Sequence, residues 1–425
     1  MNSTDQTEPI SIAELERLMR QGAGRAVVRL KRCADCVPYR KTILHACVTD
    51  YSPDFHCEVC RGPYMCQVVL ATRDEAYYLS AIAARITARV PGDDHYQMAE
   101  ILRRFAQRGD GAAREALVEG FELYATLGDF EMADQIVALD GAAGAIAVIE
   151  LFETHAGDRC GGASDRLYME MEEQFGAEPA ASAMGEAAAA NPRVAAFWQR
   201  VCAERETRPQ HTSNRGAPIA YDTIREAIKS GKRPAILGGW GRKAANAELI
   251  LAAQDLNEAL ETEEILAYLR IFRLRAFPLG PERLIRLTSH RDRRIRHGAV
   301  AALERVQSPA VRTLALRMLR TRRWRGHAPA LLALNYRSGD ESRLLAMAGE
   351  DMDADVYHSF EISARQLFKA HPELDCRPVM LVLYERGTCS LCRHGVVELM
   401  QRERPLPDWL AEEYRYDCYG GDLVT

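Results

Sequence analysis

Two neighbouring helical stripes within residues 289–325 constrain the fold of this chain more than any other part of its sequence. The first stripe begins at Asp292, and its apolar residues recur at helical spacing as far as Val306. In the second, Ser308 is suited to cap a helix and Pro309 to occupy its first position. Neither helix buries its stripe alone, so the pattern predicts stacked neighbouring helices and, with them, a helical-repeat array.

The helical period continues along nearly the whole chain, and alternating runs of strand length are missing. We therefore predict an all-α protein built as an elongated helical-repeat solenoid. The polar stretch at residues 204–218, which holds two prolines, is the best candidate for a linker. It divides the chain into a helical region with divergent repeats at residues 1–203 and a more regular repeat array at residues 219–425.

Patterns of export and of membrane insertion are missing from the sequence. The start is polar and acidic, without a signal-peptide pattern, and no apolar run reaches the ~20 residues that span a bilayer. The longest apolar run, at residues 142–152, predicts a buried helix that is separate from a helix at residues 131–137. Twelve cysteines in 425 residues are too few for a disulfide scaffold. We expect a cytoplasmic protein with reduced thiols and no membrane partner.

Several local motifs resemble a group of bacterial HEAT-repeat proteins. The general HEAT consensus is matched by Asp292, Ile295, Arg296, Ala299, Ala302 and Leu303. Further similar segments lie at residues 268–272, 277–278, 335–341, 358–360 and 384–393. The resemblance covers most of residues 220–425 and only weakly the N-terminal half. It implies an armadillo-like helical fold with a scaffold-like role and no defined reaction.

Two Cys-x-x-Cys pairs in the N-terminal region have the spacing of a four-cysteine zinc site. They are Cys33 with Cys36 and Cys57 with Cys60. A helix predicted at residues 37–50 would hold the two pairs ~20 Å apart, which is too far for one zinc ion unless the next loop folds back. Half-buried structural thiols are therefore the preferred interpretation, with zinc as the alternative. We predict no metal ligand and no cofactor.

A third Cys-x-x-Cys pair, Cys389 with Cys392, falls where a helix is predicted to begin. A helix N-terminus favours the thiolate, as a redox dithiol requires. The βαβ context of thioredoxin-like proteins is missing, so packing is the preferred interpretation. His394 and Cys418 would complete a metal site only at a spacing that matches no standard pattern. A zinc- or redox-responsive protein is kept as a third alternative.

Two enzyme motifs are approached but not completed. The sequence His56-Cys57-Glu58 imitates part of a zinc deaminase motif, but the second cysteine pair of that motif does not follow. The glycine-rich residues 238–243 lack the Gly-Lys-Ser/Thr end of a phosphate-binding loop and predict a turn ahead of a helix. We therefore expect a protein that is not an enzyme.

The strongest functional signal is a cluster of eleven arginines against two acidic residues within residues 289–325. Guanidinium groups prefer planar acceptors, either carboxylate or phosphate. Pairing with the acids of adjacent repeats would account for a few arginines, and the excess favours an acidic partner surface. The predicted partner-binding residues are Arg291, Arg293, Arg294, Arg296, Arg312, Arg320, Arg322, Arg323 and Arg325.

These observations predict a non-enzymatic scaffold or adaptor that binds a protein with an acidic surface. One version is an immunity-type protein that covers an acidic client. The alternative partner is nucleic acid, as in the helical-repeat DNA glycosylases, where a basic face holds the duplex. Against it, Trp324 is the only aromatic ring of Phe, Tyr or Trp inside the cluster, and the net charge of the chain is −5.

Overall fold

A computed structural model describes residues 9–51, 61–155, 163–207, 219–231, 236–402 and 404–420. These residues form helices joined by short turns, and no strand occurs among them. The all-α fold class predicted from the helical period is therefore confirmed. Contacts within the chain define two compact units. The first unit is Met1–His211 with Pro407–Thr425, and the second unit is Thr212–Leu406.

Helices of the first unit pack in two rows. Their bounds are α1 Ile12–Gln21, α2 Gly24–Arg32, α3 Arg40–Val48, α4 Gly62–Thr72, α5 Glu75–Ala88, α6 His95–Gln107, α7 Gly111–Ala125, α8 Ala133–His155, α9 Ala163–Phe175, α10 Ala177–Ala190 and α11 Pro192–Thr207. Helices α2, α4, α6 and α8 follow one another in one row and α1, α3, α5 and α7 in the other, and most consecutive helices also touch.

Helix α8, Ala133–His155, is long and apolar enough to cross a membrane by length and composition alone. Its backbone is not helical at Gly141, where φ is 63° and ψ is −137°. This break separates the segments at residues 131–137 and 142–152, as the sequence predicts. Buried core positions of α8 include Val148, Ile149 and Phe152. A core helix passes the same test of length and composition, so α8 is weak evidence for a membrane span.

Helices of the second unit also pack with the next but one along the chain. Their bounds are α12 Tyr221–Lys229, α13 Leu237–Lys243, α14 Asn246–Glu258, α15 Thr262–Ile271, α16 Glu282–Leu287, α17 Arg293–Leu303, α18 Pro309–Leu319, α19 Ala328–Ala333, α20 Asp340–Ala348, α21 Ala354–Ala370, α22 Arg377–Arg386 and α23 Ser390–Gln401. Helices α13, α15 and α17 pack with one another in this order, as do α19, α21 and α23. The predicted turn at residues 238–243 is wrong, because these residues belong to α13.

The predicted helix pair within residues 289–325 is present as α17 and α18. The Asp292 carboxylate accepts a hydrogen bond from the Arg294 N–H at 2.8 Å and caps α17. The Ser308 hydroxyl accepts one from the Ala310 N–H at 3.2 Å and caps α18. The stripes are buried at Ile295, Ala299, Ala302, Leu303, Val311, Leu314, Ala315 and Met318. Neighbouring helices cover both stripes, which leaves the polar faces of α17 and α18 available for other contacts.

A last helix, α24 at Asp408–Tyr414, packs against α2 of the first unit. Arg25 and Glu413 form an ion pair at 2.7 Å, and the Cys418 N–H donates to the Gly22 carbonyl at 3.0 Å. The C-terminal residues 407–420 thus group with the first unit, although the sequence places them at the end of the repeat array. The predicted linker starts inside α11, and its residues 208–218 lie outside the described part.

Candidate partner-binding groove

Two cavities of the second unit meet at His297 and His327. The first holds about 440 Å³ and lies between α15 and α17. The second holds about 210 Å³ and lies among α17, the turn that follows α18 and the start of α21. Both cavities are lined by His297 and His327, so we treat them together and call them the arginine groove. Its arginines are Arg270, Arg273, Arg293, Arg294 and Arg323.

Local sequence explains how the groove forms. An ideal Cβ at Gly298 would lie 3.1 Å from the Leu269 side chain, so the glycine lets α17 approach α15 closely. His297 comes next to this glycine, on the part of α17 that is not buried in the core. Its ring lies 5.0 Å from the Trp324 ring and 5.5 Å from the His327 ring, measured between centroids. Three aromatic rings therefore form one wall of the groove.

Charges in the groove are mixed. Arg294 pairs with Asp292 at 2.8 Å and with Glu263 at 3.1 Å, and it is therefore already engaged. Other acidic residues of the lining are Glu304, Asp353 and Asp355. By contrast, the exposed side chains of Arg270, Arg273 and Arg323 form no ion pair within the described part of the chain. These three guanidinium groups remain available for an anionic ligand.

Burial and charge shift the pKa values of several groups in and beside the groove. Burial lowers the pKa of His297, and the charges of Arg293, Arg296 and Arg323 lower it further. Burial raises the pKa of the Glu304 carboxyl. Hydrogen bonds from Arg294 lower the pKa of Asp292 to about 2. At neutral pH the imidazole of His297 is therefore uncharged, and the positive charge of the groove comes from its arginines.

Replacing Arg293 and Arg323 with glutamine is expected to raise the pKa of His297 towards its ordinary value of 6.5. His327 should respond less, because its pKa is lowered by burial and then by His297, and neither arginine is among the causes. Both values are measurable from imidazole chemical shifts in an NMR pH titration. A wild-type His297 that titrates at or above 6.5 would contradict the proposed environment.

The lowered pKa of His297 makes the stability of the folded state depend on pH. A lowered pKa in the folded state means that the unfolded chain takes up a proton first as the pH falls below 6.5. The histidines of the groove therefore favour the folded state above this pH, and they lose that contribution on acidification.

The nine predicted partner-binding arginines fall into three groups. Arg294, Arg296, Arg312 and Arg325 are engaged within the chain. Arg293 and Arg323 line the groove, where the Arg293 Nε lies 3.3 Å from the His297 Nε2. The remaining side chains are exposed and form no ion pair among the described residues; they are Arg291, Arg320 and Arg322.

Sequence reasoning missed Arg270 and Arg273. They lie on or just after α15 and outside residues 289–325, so a count along the chain does not include them. The sequence does contain one signal for them, because a spacing of three residues places two side chains on the same face of a helix. Only the packing of α15 against α17 brings them to the same cavity as His297.

The structure describes only some of the cysteines of the predicted four-cysteine site. Cys57 and Cys60 lie outside the described residues, so the predicted four-cysteine site stays untested. Cys36 is buried, and burial raises the pKa of its thiol to about 11. The intervening segment is a 3-10 turn at Val37–Tyr39 followed by α3. Elsewhere among the described residues, metal-ligating side chains gather in two groups of three. They are His95, Asp129 and Glu131, and His358, Cys389 and Cys392.

Comparison with protein-family models, with curated proteins and with solved structures finds no match to this chain. The resemblance to HEAT-repeat proteins stays a prediction.

Proposed function

We propose that this protein is a non-enzymatic, HEAT-like helical-repeat scaffold of the cytoplasm whose arginine groove binds an acidic segment of a partner protein. One observation carries the proposal. Arg270, Arg273 and Arg323 are exposed around a wall of three aromatic rings, and none of them forms an ion pair within the described residues. Guanidinium groups in such a position favour bidentate contact with carboxylates.

Helix packing supports the repeat class. In the first unit most helices touch the next helix and the next but one, and in the second unit most helices touch the next but one, so rows of alternate helices form. Stacked helix pairs produce this pattern, because each pair buries its apolar face against its neighbours. Such arrays present continuous surfaces to other proteins and need no catalytic constellation to do so.

The mixed charge of the groove favours a protein over nucleic acid. Glu304, Asp353 and Asp355 stand among the arginines of the lining. A phosphate backbone carries one negative charge per nucleotide and would meet these carboxylates unfavourably. An acidic protein segment also carries N–H donors and basic side chains that match them.

Nucleic acid remains the second candidate because of Trp324. This half-buried ring lies beside His297, and the Arg323 guanidinium lies 6.0 Å from the Trp324 ring centroid. Aromatic rings between basic side chains stack on unpaired bases in single-stranded nucleic acid. Salt dependence separates this alternative from a protein partner.

A charge-reversal variant tests the proposal. Arg270→Glu with Arg323→Glu should weaken binding of a fluorescent glutamate-rich peptide by more than about tenfold. Each charged hydrogen bond contributes about 1.5–3 kcal/mol, and about 1.4 kcal/mol is a factor of ten. Fluorescence anisotropy measures the affinity, and circular dichroism checks that the helices are retained.

Arg317→Glu with Arg320→Glu is the matched control. Both side chains are exposed, line neither cavity and change the net charge equally. The control should bind the peptide about as tightly as wild type does. An equal loss in both variants would contradict binding in the groove. Tighter binding of a single-stranded oligonucleotide than of the peptide would favour nucleic acid as the partner. In that case a plot of log K against log salt concentration should fall with a slope of about 0.7 for each phosphate contact.

A further inference from the structure

One imidazole and two thiols meet in the second unit, outside the arginine groove. The ligand atoms of His358, Cys389 and Cys392 all lie within 4.8 Å of one another. Cys389 is 2% exposed and Cys392 is 3% exposed, while His358 is half-buried. The three residues line neither cavity of the groove, so the proposed function does not use them.

Two helices build this cluster. Cys389 is the cap residue of α23, and its Sγ accepts a hydrogen bond from the Cys392 N–H at 3.4 Å. The Cys-x-x-Cys spacing places both sulfurs on the same helical turn. His358 belongs to α21, which packs against α23. The donor set therefore arises from tertiary packing and not from one local turn alone.

The pKa values of the two thiols are shifted in opposite directions. Hydrogen bonds from Cys392 and His358 lower the pKa of Cys389 to about 4, although burial opposes this shift. The pKa of Cys392 is raised, first by its hydrogen bond to Cys389 and then by burial. A metal ion binds thiolates, so binding would require both thiols to lose their protons.

Charged side chains of both signs act on the cluster. The Arg365 Nη2 donates to the Cys392 Sγ at 3.5 Å, and Gly395 leaves room for the guanidinium, since a Cβ there would lie 3.0 Å from the Arg365 Cζ. Glu361 is fully buried on α21 and acts electrostatically on Cys392. A buried cation needs such charged groups close to it.

We propose that His358, Cys389 and Cys392 bind Zn²⁺ through one nitrogen and two thiolates, with a fourth position left for water or another small ligand. A set of two cysteines and one histidine is a known zinc donor set, and soft thiolates select this class of ion. Arg365 is not a ligand, but it supports the site by donating a hydrogen bond to the Cys392 sulfur. Binding releases the protons of the thiols. The site departs from the sequence-based expectation of no metal, because nothing in the sequence places His358 here.

Burial distinguishes this site from a redox dithiol. Exchange with the disulfide of another protein requires an accessible sulfur, and both sulfurs are almost fully covered. A dithiol switch also has no need for the third donor, His358. A small ion reaches a buried site that another protein does not.

Metal titration of the full chain tests the proposal. Protein stripped with chelator under reducing conditions should bind about one equivalent of Co²⁺ with a sulfur-to-cobalt charge-transfer band of two thiolates, and Zn²⁺ should displace it. Cys389→Ser and Cys392→Ser should abolish the band. Arg365→Gln should keep the band and weaken the affinity for Co²⁺ about 10–100-fold, as changes to residues that hydrogen-bond to metal ligands do. Circular dichroism checks folding.

Cys33→Ser is the matched control, because Cys33 belongs to a competing Cys-x-x-Cys pair. It should leave the cobalt band unchanged. A band that disappears in Cys33→Ser and persists in Cys389→Ser would assign the metal to the N-terminal pairs and overturn the proposal. So would wild-type protein that binds no Co²⁺ while peroxide joins Cys389 to Cys392 in a disulfide.

Discussion

Replacing Arg312 with alanine is expected to lower the free energy of unfolding of the second unit by about 3 kcal/mol. The Arg312 guanidinium donates to both oxygens of Asp340, at 2.6 and 2.9 Å, and Asp340 is 1% exposed. Alanine would leave this carboxylate buried with only the Arg337 N–H at 2.9 Å and Arg343 at 3.7 Å. Urea denaturation followed by circular dichroism measures the loss.

Two control variants make the test specific. Arg312→Met together with Asp340→Leu removes both charges and should recover most of the lost stability, since an apolar pair replaces a buried ion pair at little cost. Arg320→Ala changes an exposed arginine next to the end of α18 and should cost within about 0.5 kcal/mol. A loss below about 1 kcal/mol in Arg312→Ala would show that Asp340 is hydrated, and Arg312 would return to the candidate partner contacts.

Some of the arginines predicted to bind a partner contact groups within the chain instead. Arg312 of α18 reaches Asp340 at the start of α20, and Arg325 reaches Glu350 just after α20 at 2.7 Å. Arg296 donates to the His290 carbonyl at 2.7 Å. These contacts lie within the second unit, so the excess of arginine in the sequence overstates the charge that is available to a partner.

Local signals made much of the fold predictable. The caps at Asp292 and Ser308 and the helix start at Cys389 depend on hydrogen bonds that span two or three residues. The break at Gly141 likewise depends on a conformation that one glycine adopts easily. Such features follow from the sequence because each is determined within one helical turn.

Features that depend on packing between distant residues were not predictable. Residues 238–243 form α13 because Gly241 lets this helix approach α15, where a Cβ would lie 3.0 Å from the Ile271 carbonyl carbon. The meeting of His358 with Cys389 depends on how α21 packs against α23. The position of Arg270 in the groove depends on α15 and α17 in the same way. Periodicity predicts the helices but not which of their polar faces converge.

Replacing Gly24 with alanine is expected to release α24 from α2 and to cost the first unit about 3 kcal/mol or more. The Gly24 N–H donates to the Asp417 carboxylate. A Cβ at Gly24 would overlap the Glu413 carbonyl oxygen and lie 2.8 Å from the Asp417 nitrogen. Both neighbours are backbone atoms, which do not rotate away, so the C-terminal segment must move.

Release of α24 would also break the ion pairs of Arg25 with Glu413 and of Arg32 with Glu412, each at 2.7 Å. Amide hydrogen exchange at residues 408–414 and tryptic cleavage after Arg415 should both become faster. Gly185→Ala is the matched control, because a Cβ there meets no atom within 4 Å. It should raise stability by about 0.5–1 kcal/mol, as alanine does within a helix. Unchanged exchange and cleavage in Gly24→Ala would contradict the packing of residues 407–420 on the first unit, and would return them to the repeat array that the sequence predicts.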